Sequence, residues 1–148
     1  MAIRVNIKNI NKKRKTDLLK AERSAEKVLK ILNKKNAELN IIFVTSQKIR
    51  SFNRRYFKKD NATDVIAFPS ESANPPGLNT VDKFFFGDIA ISSDRAAVNA
   101  KIYHVSFEEE LTLYIIHGIL HLAGYDDRTA NGRVLMQGKE HEILRKIR

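Results

Sequence analysis

The chain has no cysteine and no tryptophan, and only three prolines and six glycines among its 148 residues. Without cysteine no disulfide can form, and a bound metal must be held by His, Asp or Glu. The absence also fits a reducing cytosol. No apolar stretch approaches the ~20 residues a membrane helix needs. The first residues, Met-Ala-Ile-Arg-Val-Asn-Ile-Lys, lack the apolar run of a signal peptide. Acidic charge is scarce too: Asp and Glu number 17 against 27 Lys and Arg, a formal net charge of +10. That surplus points to a polyanionic partner, nucleic acid first, or else to a generally basic soluble protein. A chain of this length is expected to form a single domain over residues 1–148.

What is present is concentrated in His117-Gly118-Ile119-Leu120-His121-Leu122-Ala123-Gly124-Tyr125-Asp126-Asp127. On a helix, a His-x-x-x-His spacing places both imidazoles on one face, about 6 Å apart along the axis. Gly124 can take positive φ and stop the helix. The turned chain then brings Asp127 back toward the histidines. Two imidazoles and a carboxylate, with a fourth position left for water, form the pattern of a catalytic zinc. The spacing His-x-x-x-His-x-x-Gly-x-x-(His or Asp) is that of metzincin-type sites. The other reading is a pair of core histidines hydrogen-bonded to backbone.

The surrounding pattern predicts a buried central helix. Ser106 and Glu109 form a Ser-x-x-Glu capping box, Glu108 to Glu110 favour the first turn, and the residues from Leu111 to Leu122 are apolar almost all round. Upstream, Ile3, Val5 and Ile7 alternate as a half-buried strand, and Asn11 to Lys15 form a basic linker. Thr16 and Asp17 open a helix with the stripe Leu18, Ala21, Ala25, Val28, Leu29 and Leu32. Leu39 to Val44 read as a strand covered on both faces.

Ser46 is expected to cap a short helix through Tyr56, and Ser93 another to about Ala100. The first carries Lys48, Arg50, Arg54 and Arg55, followed by Lys58 and Lys59, the densest basic face in the chain. It serves either RNA binding or ordinary solvation. Thr63 to Phe68 and Phe84 to Ser92 read as strands, the latter with Gly87 marking a bulge or a close backbone approach. Residues 70–80 read as an exposed loop. A final helix is expected to bury Val134, Leu135, Met136, Ile143, Leu144 and Ile147. His104 and His141 fall outside the ligand spacing and are expected at the surface. The class is α+β: a mixed sheet of about four strands packed with helices, the central helix carrying the ligands.

Residues 117–126 match throughout the YbeY family signature His-Gly-x-Leu-His-Leu-x-Gly-Tyr-Asp-His. Asn53, Tyr56, Asp60, Thr63, Asp64, Val65, Phe68 and Pro69 match its Asn-x-x-Tyr…Asp-x-Pro-Thr-Asp-Val-Leu-Ser-Phe-Pro segment. Gly87-Asp88-Ile89-Ala90-Ile91 is similar to its Gly-Asp-Ile-x-Ile strand, and Met136 and Glu140 fit its C-terminal helix. The chain thus resembles the YbeY family of bacterial endoribonucleases and rRNA maturation factors over most of its length.

The resemblance implies a cytoplasmic, zinc-containing, single-strand-selective endoribonuclease. Such a protein acts in small-subunit rRNA maturation and ribosome quality control, with rRNA and the small ribosomal subunit as partners and no membrane role. Three departures are visible. The third ligand, usually His, is Asp127, whose charge should leave the metal a weaker polariser of water. Phe57 stands where the family has a functional arginine. Ala67 and Ala62 replace Ser and Pro.

The expected mechanism has one zinc on His117, His121 and Asp127. Arg54, Arg55 and Lys58 supply charge for the phosphate in the transition state. Lys48, Arg50, Arg54, Arg55, Lys58 and Lys59 bind RNA. Tyr125 or Asp126 orients a ligand from behind, although Tyr125 serves equally as a packing residue. A non-catalytic rRNA-binding assembly factor with a structural metal is the alternative. A zinc protease needs Glu directly after the first His, and Gly118 supplies no side chain there.

Overall fold

A computed structural model describes residues 2–60, 63–69 and 85–148 of the chain. The expected loop over 70–80, and Ala62 and Phe84, lie outside them. The elements are β1 (Ile3–Asn9), α1 (Leu18–Ile31), β2 (Ala37–Val44), α2 (Ser46–Phe57), β3 (Val65–Pro69), β4 (Phe85–Ser92), α3 (Ser93–Tyr103), α4 (Phe107–Leu122) and α5 (Ala130–Ile147). The strands form one mixed sheet in the order β1-β2-β4-β3. β1, β2 and β4 run parallel, and β3 pairs antiparallel with β4 at the edge. This is the expected α+β arrangement.

Alternation along β2 sorts the helices onto two faces. Leu39, Ile41 and Phe43 join the main core with residues of α1, α4 and α5. Val44 and Ile42 instead join a small second core with Ile49 and Phe52 of α2 and with Ile66 and Phe68 of β3. α2 and α4 therefore lie on opposite faces of the sheet, which bears directly on the site.

Two glycines set how closely α4 lies on β4. A Cβ at Gly118 would fall 2.8 Å from Cγ2 of Ile89, and one at Gly87 would fall 2.7 Å from both Leu122 methyls. Gly87 thus marks a close approach; the register through it is unbroken, so there is no bulge. Gly118 faces the sheet, so a glutamate there would meet Ile89 and not the metal cleft. Gly118→Ala gains up to about 1 kcal/mol of helix propensity but overpacks the core at about 1–3 kcal/mol. A net loss of up to about 2 kcal/mol is expected, read as a lowered denaturation midpoint.

Several local expectations are corrected. The caps of α2 and α3 are Thr45 and Ser92, one residue before Ser46 and Ser93. The Ser46 hydroxyl is instead engaged with Ser92 Oγ at 3.1 Å. Leu18 is exposed, and Val134 and Leu135 are each 68% exposed. The buried face of α5 runs through Met136, Glu140 and Ile143, with Leu144 and Ile147 partly packed; Val134 and Leu135 are rotated off it. The basic linker is structural at two points. Asn11 is buried and donates to Ser93 Oγ and Asp94 Oδ1, and Arg14 donates to the same Asp94 oxygen at 2.9 Å.

Candidate metal centre

α4 starts as its sequence says, with Ser106 Oγ accepting the Glu109 amide at 3.0 Å. The Glu109 carboxylate does not return to Ser106; it pairs with Arg148. Leu111, Tyr114, Ile115, Ile116, Gly118, Ile119 and Leu120 are buried. His117 and His121 share a half-buried stripe, so both are held by packing yet open on one side.

The turn after α4 is fixed by backbone. Gly124 has φ of 104°, its amide donates to the His121 carbonyl, and the Tyr125 amide donates to the Leu120 carbonyl. This paired Schellman pattern satisfies the last carbonyls of the helix and turns the chain back. Tyr125 packs partly buried against the main core. Asp127 thereby reaches the histidines.

The three donors converge. His117 Nε2 and His121 Nε2 are 3.1 Å apart, and Asp127 Oδ2 lies 3.7 Å and 3.5 Å from them. Tetrahedral donors at roughly 2.0–2.1 Å from a cation are about 3.3 Å apart from one another. The triangle therefore fits one divalent cation, and these residues are the metal-capable His/Asp/Glu group among the described residues.

Glu140 completes the arrangement from α5. Its Oε1 lies 2.5 Å from His117 Nδ1 and its side chain is 9% exposed. With Nδ1–H donating to Glu140, the Nε2 lone pair faces the other two donors. Burial opposes charging of His117. The Glu140 hydrogen bond and charge, with Asp64 and Asp127 beyond, outweigh it, and the His117 pKa stands above the usual imidazole value.

Glu140 is thus the carboxylate bonded to a ligand ring, His117, whereas Tyr125 packs against the core. The Asp126 carboxylate is held by a two-nitrogen contact from Arg128, at 3.0 and 2.8 Å, which pulls its pKa down to about 2. Sequence reading missed Glu140 as a site residue. The available signal was an acid on the Met136–Glu140–Ile143 face of a helix, where an unpaired carboxylate would be costly.

A cleft of about 520 Å³ opens beside the ligands, lined by Asp64, Glu110, Tyr114, His117, Asp127, Arg133, Glu140 and others. Burial pushes the Glu110 pKa up, and that of Tyr114 as well. Tyr114 Oη accepts from Asn99 Nδ2 at 2.6 Å. His141 also lines the cleft, though its ring is exposed and bonded to the Gln137 carbonyl; His104 caps α3 in a left-handed conformation.

The basic residues of α2 are not brought to this cleft; none of them lines it among the described residues. Arg50 and Arg54 both donate to Asp60 Oδ1 at 3.0 Å. Lys48 lies over the Phe52 ring and Arg55 over the Tyr56 ring. Lys58 closes α2 in a left-handed conformation, and the Lys59 amide donates to the Asn53 carbonyl. Phe57 packs its ring 5.8 Å from that of Phe68, on the sheet face opposite α4.

Comparison with known proteins agrees with this architecture. The family model described as Endoribonuclease YbeY matches residues 6–148. The chain is 33% identical to "Endoribonuclease YbeY" of Syntrophus aciditrophicus, covering 97% of this chain and 89% of that one. It is 40% identical to the protein of the same name from Bacillus thuringiensis over 111 residues, 73% of this chain and 71% of that one. The solution structure of TM1509 from Thermotoga maritima superposes with a TM-score of 0.62 at 26% identity, covering 95% of this chain and 86% of that one. With a family model matching residues 6–148 and a relative of the same description covered to 89% of its length, the chain belongs to the YbeY family.

Proposed function

We propose that residues 1–148 act as one unit, a metal-dependent endoribonuclease selective for single-stranded RNA. Its place is in small-subunit rRNA maturation and ribosome quality control in the cytoplasm, with zinc as the metal. The observation that carries this is the triangle of His117, His121 and Asp127 donors backed by Glu140. The relatives named as endoribonucleases, and the +10 charge, support RNA as the substrate.

A divalent cation held there supplies Lewis-acid polarisation of a phosphoryl oxygen. The chain's own residues do the rest. Glu140 fixes the His117 tautomer, the Schellman turn places Asp127, and His117 and Asp127 both line the cleft. Asp127 lowers the net charge of the centre by one relative to a neutral imidazole. Asp127→His is therefore expected to give a few-fold faster cleavage at neutral pH or a shifted metal preference. Single-turnover rates with zinc and with manganese measure this; identical rates and preference would oppose it.

One observation favours a second reading, a non-catalytic rRNA-binding assembly factor with a structural metal. The α2 cations sit across the sheet from the ligands. Purified protein of known metal content, given single-stranded and duplex RNA of one sequence, separates the two. Preferential cleavage of the single strand supports the nuclease. Tight RNA binding without cleavage, at one metal per chain, supports the assembly factor.

A further inference from the structure

The cleft beside the metal ligands is walled by carboxylates: Asp64, Glu110, Asp127 and Glu140. Four carboxylates outnumber the charge of one divalent cation, so a phosphate approaching that centre needs a further cation to offset them. Among the described residues lining this cleft, Arg133 alone is Lys or Arg.

Its position is tightly set. Arg133 stands in the first turn of α5, which Thr129 caps by accepting the Gly132 amide at 3.0 Å. A Cβ at Gly132 would overlap the Asp126 carbonyl oxygen, so the helix seats directly on the chain that delivers Asp127. Arg133 Nη1 donates to the Asp127 carbonyl at 3.3 Å. A guanidinium has five N–H donors, and among the described residues this contact uses one of them, on an exposed side chain anchored at the metal ligand.

We propose that Arg133 forms a phosphate-binding subsite beside the metal centre, taking a phosphodiester of single-stranded RNA through its planar fork. The subsite rests on the nuclease reading for its substrate, but not for its ligand chemistry. A planar fork matches two phosphate oxygens, which an ammonium does not. Arg133 would then supply the charge that the sequence pattern ascribed to Arg54, Arg55 and Lys58.

The test uses full-length, zinc-loaded wild type, Arg133→Ala and Arg133→Lys, titrated with inorganic phosphate by calorimetry and then with single-stranded RNA across a salt series. The expected result is a loss of about tenfold or more in phosphate affinity for Arg133→Ala, partly recovered by Arg133→Lys, at unchanged zinc content. The slope of log affinity for RNA against log salt should fall by about 0.7 for the lost contact.

No phosphate binding by wild type, or equal binding by Arg133→Ala, overturns the subsite. So does zinc loss in Arg133→Ala with phosphate affinity per loaded site unchanged, which makes Arg133 only a prop for the Asp127 carbonyl. Arg133-dependent phosphate binding by a wild type that cleaves no RNA upholds the subsite and removes the nuclease reading. RNA cleavage with no Arg133 effect does the reverse.

Discussion

The His117→Ala, His121→Ala double variant is expected to fold, to lose its bound divalent cation and to lose cleavage of single-stranded RNA. Loss of a single orienting partner costs about 10–100-fold in metal affinity, and removing two of three ligands must cost more. The fold should survive because both rings are only partly buried, with side-chain exposures of 26% and 30%. Alanine is also the best helix former. The main penalty is at Glu140, left buried without its histidine, at about 1–3 kcal/mol. His121→Ala alone spares that pair, so it should lose metal with a smaller change in stability. Elemental analysis, circular dichroism and a cleavage assay on the three proteins decide the matter. Undiminished cleavage by a folded, metal-free variant would leave the nuclease without its site.

Glu140→Gln carries the second large effect, and its size depends on pH. At pH 8 proton competition for His117 is weak. There the variant should bind zinc about 10–100-fold more weakly, because a neutral amide neither fixes nor enriches the ring as a carboxylate does. The wild-type His117 pKa is raised, chiefly by Glu140 acting against burial. On acidification wild type is therefore protonated first, and its advantage should narrow toward pH 6. In the metal-free protein the linkage runs the other way. A raised folded-state pKa contributes stability that is full below the unfolded value near ~6.5 and is lost as pH rises through the folded value. Stabilisation by zinc should thus grow with pH over that window, followed as the shift in Tm on adding zinc. A wild-type shift independent of pH would count against the Glu140–His117 pair.

The sequence made some of this plain and left the rest hidden for identifiable reasons. α4, its Ser106 cap and the Gly124 turn were legible because each rests on local spacing. Asp127 followed from them, since only a few residues separate it from His121. Glu140 was not legible as a partner, because it reaches His117 from another helix, 23 residues on. The basic residues of α2 were legible as a cluster but not in direction. Charge counts do not say which face of a sheet a helix covers, and the alternation of β2 serves both faces. Val134 and Leu135 show the same limit. They are apolar and close in sequence to Met136, yet the helical period turns them outward. Arg133 gave no signal at all, because its relation to Asp127 exists only once α5 seats, at Gly132, on the Asp126 carbonyl.

Zinc K-edge X-ray absorption on the purified, zinc-loaded protein tests most directly whether these three side chains hold one cation. The account predicts one zinc per chain and a four-coordinate shell of nitrogen and oxygen at roughly 2.0–2.2 Å, with imidazole scattering from two rings. That scattering should vanish with the bound metal in the His117→Ala, His121→Ala protein. A shell of oxygen alone, or a spectrum unchanged by that double substitution, would contradict it.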